Sequence, residues 1–161
     1  MSLHPNPDFM RRAIELSAKA GLVDKTGGVF GAVVVKDGKI IGEGYNRVAK
    51  EHDPTWHAEV DAIRNAAKKA GTPHLDGAIL YTSAFCCPMC LCAAYWAQIK
   101  EIYYGARVED AKKYGDFRDV DFYQEMCKGT DDRLIKCKEF MRDEAVEVWK
   151  KFAVMPDRAK Y

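Results

Sequence analysis

The chain has 161 residues, 48% apolar, 30% charged and 11% aromatic, and its 25 Lys and Arg nearly balance 24 Asp and Glu, giving a formal net charge of +1. This length and composition predict one domain, residues 1–161, that buries roughly two-thirds of its unfolded surface and needs no disulfide staple. The lack of a basic excess disfavours wrapping of nucleic acid, no stretch approaches the ~20 apolar residues of a membrane span, and Met1–Phe9 lack the pattern of a secretory signal; a cytoplasmic protein is expected.

Taken in chain order, Asp8 reads as the cap of a helix through Phe9, Ala13, Leu16 and Ala20, stopped by Gly21. Gly31–Val35 and Lys39–Gly44 flank Asp37-Gly38, the strongest short hairpin signal. Asp53-Pro54-Thr55 reads as the opening of a second helix through Val60, Ile63, Ala67 and Ala70, closed by Gly71. Ala78–Thr82 reads as a buried strand, Pro88–Ile99 as a helix and Glu101–Gly105 as another strand. A fifth strand is expected at Leu134–Phe140 and a last amphipathic helix at Glu144–Val154. The alternation predicts an α/β fold: three layers, α/β/α, around a mixed sheet of about five strands. No repeat, linker or domain boundary is evident.

Cysteines stand at 86, 87, 90, 92, 127 and 137, four of them within seven residues. In a domain able to hold its own core, that clustering points to metal or redox chemistry in a reducing compartment. Cys87-Pro88-Met89-Cys90 falls where strand hands over to helix. The pair reads as two metal ligands on one face of a first helical turn, ahead of a thiol redox couple or small buried hydrophobes. Cys92, pointing elsewhere on the same helix, reads as core.

His57-Ala58-Glu59 shifts the balance towards metal. His57 is expected in the first turn of its helix, and two helix N-termini can meet at one sheet edge. One imidazole and two thiolates then give tetrahedral zinc three protein ligands and one open position, the arrangement of a catalytic site. Glu59, two residues from His57, would not share a helix side face with it. At the open end of a helix it can curl round, face the open position and handle a proton without being a ligand.

At these residues the sequence resembles the zinc-dependent cytidine-deaminase-like superfamily, whose signature is His-x-Glu followed by Pro-Cys-x-x-Cys. Gly27–Val33, Asp53-Pro54, His57–Val60, Ala62–Arg64, Leu80–Ser83, Cys87–Cys90, Tyr95–Ala97 and Tyr161 are similar to the guanine deaminase branch. The resemblance covers nearly the whole chain and is strongest from Gly27 to Gly105. It implies zinc held by His57, Cys87 and Cys90, with Glu59 as the proton-transferring residue. It also implies hydrolytic deamination of an amino-substituted nucleobase, guanine first. For the substrate it implies Asn46 at a ring edge, Phe30 and Trp96 as aromatic walls, Asp119 near the leaving amine and Tyr161 as a lid. A homodimer that exchanges residues 142–161 is implied as well.

Four positions depart from the pattern. Cys86 replaces the Pro that precedes the first thiolate, Trp56 replaces a small residue, Val29 a Pro and Arg118 an acid. Cys86 is expected to pack rather than ligate. These departures keep a guanine nucleoside, a cytosine-type pyrimidine and an amino-triazine as alternative substrates. Outside the deaminases, a Cys-Pro-x-Cys redox protein and a zinc-stabilised interaction module remain open.

Overall fold

A computed structural model describes residues 5–115 and 121–159. It divides into two compact units, Met1–Asp119 and Val120–Tyr161.

The first unit contains α1 (Pro7–Ala18), extended by a π-helical turn at Lys19–Val23, then β1 (Gly31–Lys36), β2 (Lys39–Tyr45), α2 (Val48–Glu51), α3 (Ala58–Ala70), β3 (Ile79–Ala84), α4 (Pro88–Trp96), β4 (Glu101–Ala106) and α5 (Val108–Gly115). Helix α1 starts earlier than expected because Asn6, not Asp8, is its cap: the Asn6 side chain accepts the Asp8 N–H at 2.9 Å. The hairpin forms at Asp37-Gly38, both at positive φ (50° and 72°), the twist that two-residue loops require. Asp53–Thr55 does not open the second helix. Asp53 Oδ1 accepts from both the Thr55 N–H and hydroxyl, a local turn that competes with helical bonding, so α3 begins only at Ala58.

The sheet runs in the order β2-β1-β3-β4. Strand β1 is antiparallel to both β2 and β3, and β4 is parallel to β3. Strands β2 and β3 are therefore parallel to each other. Each is followed by a helix, so α3 and α4 both start at the same edge of the sheet. This topology positions the site.

The strands feed two cores by simple alternation. Ala32, Val34 and Leu80 face α3 and α4, together with Ala58, Ala62, Ala66 and Cys90. Val33, Val35, Ile79 and Tyr81 face α1 through Ala13 and Leu16. A strand buried on both faces reads as a continuous apolar run, as Gly31–Val35 does. Helix α3 lies very close to β2: a Cβ built on Gly44 would stand 2.3 Å from the Ala58 carbonyl, and one on Gly42 2.4 Å from that of Ala62.

The second unit contains α6 (Phe122–Cys127), capped by Asp121, whose side chain accepts the Gln124 N–H, and α7 (Arg142–Ala153). Trp149 and Phe152 meet edge to face on α7, with centroids 6.3 Å apart. The fifth strand expected at Leu134–Phe140 is absent, and the sheet among the described residues has four strands. Apolar alternation specifies a strand only where a ladder partner exists. Here the Leu134 N–H goes instead to the Glu125 carboxylate, and Arg133 folds back onto the Met126 and Lys128 carbonyls. Large apolar side chains of this unit stand in water, among them Ile135 (80% exposed), Phe140 (86%) and Trp149 (70%).

Candidate metal centre and active site

Because α3 and α4 start at one sheet edge, the residues at their N-termini converge. His57 is the N-cap of α3 (φ −77°, ψ 154°) and Cys87 the N-cap of α4 (φ −71°, ψ 165°), so the two hold the same extended backbone conformation. Cys90 is the third residue of α4, one turn on. His57 Nδ1 lies 3.6 Å from Cys87 Sγ and 3.5 Å from Cys90 Sγ, and the two sulfurs are 3.6 Å apart. Tetrahedral zinc, with Zn–S ~2.3 Å and Zn–N ~2.05 Å, spaces its ligand atoms about 3.8 Å (S···S) and about 3.6 Å (N···S) apart. The protein alone holds its three donors at the spacing of a tetrahedral face, so the residues fit the metal. They are the only His, Cys, Asp and Glu grouped closely enough to hold an ion among the described residues. A redox couple needs no imidazole equidistant from both sulfurs.

The electrostatics agree. The Cys87 thiol is brought down to about 4, chiefly because Cys90 donates its S–H to it, with His57 and the Cys90 backbone N–H also favouring the thiolate. The same hydrogen bond, together with burial, drives the Cys90 thiol up. His57 is raised, mainly by its hydrogen bond with the Cys87 sulfur and against its burial. The pair thus favours the thiolate on Cys87, next to the imidazole.

Glu59 occupies the second position of α3 and is 4% exposed. Burial raises its carboxyl above the ordinary range, while its own backbone N–H donates to it and the Cys90 side chain lies against it. It touches the donor set without belonging to it. Since His57 precedes the helix, no helical side-face geometry separates the two. Cys86 packs in the core that α3 and α4 cover, as expected of it, and its thiol is hydrogen-bonded to Glu59. Burial, then the Glu59 charge, push that thiol up.

Phe30 and Asn46 lie at the same edge, where Gly31 pairs with Tyr45. The Asn46 N–H donates to the Phe30 carbonyl (3.0 Å), and the Asn46 carbonyl accepts from the Thr26 hydroxyl (2.7 Å). Asn46 Oδ1 accepts the Val48 N–H (3.2 Å), which leaves the amide NH2 as the donating end of a buried side chain. Gly27 makes room for it, since a Cβ there would stand 1.9 Å from Oδ1. Phe30 is partly buried against the core that holds Cys90.

The family model of the cytidine and deoxycytidylate deaminase zinc-binding region matches residues 4–106. This chain belongs to that deaminase family. It is 45% identical over 148 residues to the guanine deaminase of Bacillus subtilis (strain 168), covering 90% of this chain and 94% of that one. The X-ray structure of the Bacillus subtilis guanine deaminase superposes with a TM-score of 0.90 at 41% identity, covering 98% and 99% of the two chains. The tRNA-specific adenosine deaminase of Aquifex aeolicus (strain VF5) is 32% identical over 122 residues, 76% of this chain and 78% of that one.

Other expected residues of this deaminase lie elsewhere. Trp96 ends α4, six residues or about 9 Å along the axis from Cys90. It is 70% exposed and lines, with Cys92 and Tyr95, an open groove of about 260 Å³. Cys92 is therefore exposed and not core: α4 is apolar on every side, but only one side meets the sheet. Phe117, Arg118, Asp119 and Tyr161 lie outside the described residues. Sequence reasoning missed Arg47 and Asp61. Asp61 is 3% exposed, and its carboxylate accepts the Tyr45 N–H and pairs with Arg47. An acid in the first turns of a helix ordinarily reads as solvated, so no sequence signal marked it.

Proposed function

We propose that this zinc-dependent aminohydrolase deaminates guanine to xanthine and ammonia. The observation that carries the reading is a tetrahedral donor face of His57, Cys87 and Cys90 beside an unligated, desolvated Glu59. It occurs in a chain similar over 90% of its length to a guanine deaminase.

Zinc held by the three donors supplies Lewis acidity that brings the pKa of water from 15.7 to about 7. Glu59 does the proton work. Its carboxylate takes a proton from the attacking water as oxygen adds to the ring carbon bearing the 2-amino group, and returns it to the ring nitrogen. It then delivers the water's second proton to the exocyclic amine. The C–N bond breaks, the carbonyl forms and ammonia leaves. A carboxyl withdrawn from water beside the donor set can serve both halves, as base and then as acid.

The amide NH2 of Asn46 meets an acceptor on the ring edge, and Phe30 flanks the ring. Asp119 and Tyr161, outside the described residues, keep in this proposal the roles the resemblance implies, an acid for the leaving amine and a lid. The protein works as a homodimer whose subunits exchange residues 142–161. The exposed Tyr95 and Trp96 of α4, which line one groove, support that reading, as do the large apolar side chains Ile135, Phe140 and Trp149 left exposed in the second unit. Clustered free cysteines fit the reducing cytoplasm. No helix among the described residues is long and apolar enough to cross a membrane.

The test is ammonia release from guanine, guanosine, cytosine, cytidine, adenine and ammeline, with zinc content measured alongside. Guanine turnover with little nucleoside turnover is expected. Activity confined to a nucleoside, a pyrimidine or the triazine would replace the substrate while leaving the chemistry in place.

A further inference from the structure

The segment that delivers His57 is a tight turn. The Trp56 N–H donates to the Asp53 carbonyl (3.1 Å) and the His57 N–H to that of Thr55 (2.8 Å). Such a local turn does not by itself aim an imidazole at two sulfurs on another helix. The geometry points to Arg47 as the positioning residue for His57.

Arg47 follows β2 and meets the turn three ways. Its backbone N–H donates to the Trp56 carbonyl, the residue before the ligand, at 3.1 Å. Its guanidinium lies over both rings, 5.1 Å from the Trp56 centroid and 4.8 Å from that of Tyr45. The fork also reaches Asp61 Oδ2 at 3.3 Å. Asp61 is one turn along α3, and its own N–H donates to the His57 carbonyl at 2.9 Å. Arg47 therefore holds the peptide on the N-terminal side of His57 and, through Asp61, the one on the C-terminal side. Arg64 covers Trp56 at 5.6 Å, so the indole is contacted by two cations.

The chemistry calls for arginine. A guanidinium combines contact with aromatic faces and hydrogen bonding to a carboxylate better than the compact, strongly hydrated ammonium of lysine does. The Asp61 side chain is 4% exposed and the Arg47 side chain 25%, so the pair is largely withdrawn from solvent. Trp56, which departs from the family's small residue beside the ligand, has a structural account here: its ring is the outer wall of the clamp.

Outer-shell groups that orient metal ligands typically contribute 10–100-fold in metal affinity. The inference rests on His57 being a ligand, so the experiment carries its own control. Zinc affinity is measured by chelator competition for the full-length wild type and for Arg47→Ala, Arg47→Lys, Trp56→Leu, Arg12→Ala and His57→Ala, with Tm for each. Arg12, bonded to Glu43 on β2 at 2.9 Å, is the control for lost stability alone. Arg47→Ala is expected to bind zinc 10–100-fold more weakly than wild type, with Arg47→Lys between the two and Arg12→Ala unchanged. Zinc affinity of Arg47→Ala within twofold of wild type, or lowered no more than in Arg12→Ala, overturns the inference. If Arg47→Ala is not recovered folded, Trp56→Leu decides: weaker zinc binding supports the clamp and unchanged binding removes it. Wild-type zinc affinity in His57→Ala instead removes the ligand reading itself.

Discussion

Replacing Gly44 by alanine tests how the fold sets the site. The added Cβ would stand 2.3 Å from both the Ala58 carbonyl oxygen and the Ala62 nitrogen, where ordinary contact begins at 3.4 Å. Both are backbone atoms of α3 and cannot swing aside, so the helix must retreat from β2 by about 1.1 Å. Ala58 is the first residue of α3, directly between His57 and Glu59. A misplacement of about 1 Å at reacting groups lowers rate by about 10²-fold, and overpacking costs about 1–3 kcal/mol in stability. Gly42→Ala presses on Ala62 and Ala66 further along α3, at 2.4 and 2.6 Å, and serves as the comparison. Steady-state ammonia release from guanine, zinc content and thermal melting are read for both. Gly44→Ala is expected to lose about 10²-fold in kcat with zinc binding weakened. Gly42→Ala should melt at a similarly lowered temperature but lose far less rate. Wild-type kcat in a folded Gly44→Ala would refute the reasoning, since the clash would then not have been passed to the site.

Further expectations concern the centre itself. Glu59→Gln should retain zinc and lose about 10²–10⁴-fold in kcat, as removal of a general acid–base does; a zinc-stabilised binding module would show no loss. In metal-free protein the same substitution changes the pH dependence of stability. Burial raises the folded carboxyl of Glu59 above its ordinary 4.5, so its contribution is fully present below that value and is lost as pH rises through the raised one. Glu59→Gln should therefore melt higher than wild type at pH 7–8, with the gap closing below about pH 4.5; a gap independent of pH contradicts the assignment. Removing either Cys90 or His57 by alanine should abolish tight zinc binding measured by metal analysis, whereas a thiol redox protein would keep its Cys87 chemistry without His57. Deleting residues 156–161 should lower guanine turnover strongly at full zinc occupancy, and unchanged turnover would reject the lid.

Some of this was legible residue by residue. The hairpin was, because Asp37-Gly38 demands positive φ at both positions whatever surrounds it. So were the buried strands and the start of α4 at Pro88. The boundary before Ala58 was not, because a side-chain turn at Asp53 and a helical turn compete over the same few N–H groups. The missing strand at Leu134–Phe140 failed for another reason: alternation describes a face, and a strand is made by a partner.

Residue type and spacing by themselves marked which atoms are able to bind zinc and offered Glu59 as a carboxylate outside the donor set. Ligand chemistry belongs to the side chains, and a Cys-x-x-Cys at a helix start brings its own two sulfurs together. Only the tertiary structure decided that His57 joins them. Twenty-nine residues separate it from Cys87. Antiparallel pairing of β1 with both β2 and β3 is what points the two following helices the same way, and ladder pairing is a property of strands brought together rather than of any local stretch. The same folding drew Arg47, Trp56 and Asp61 into one clamp, from positions whose sequence neighbours give no hint of contact.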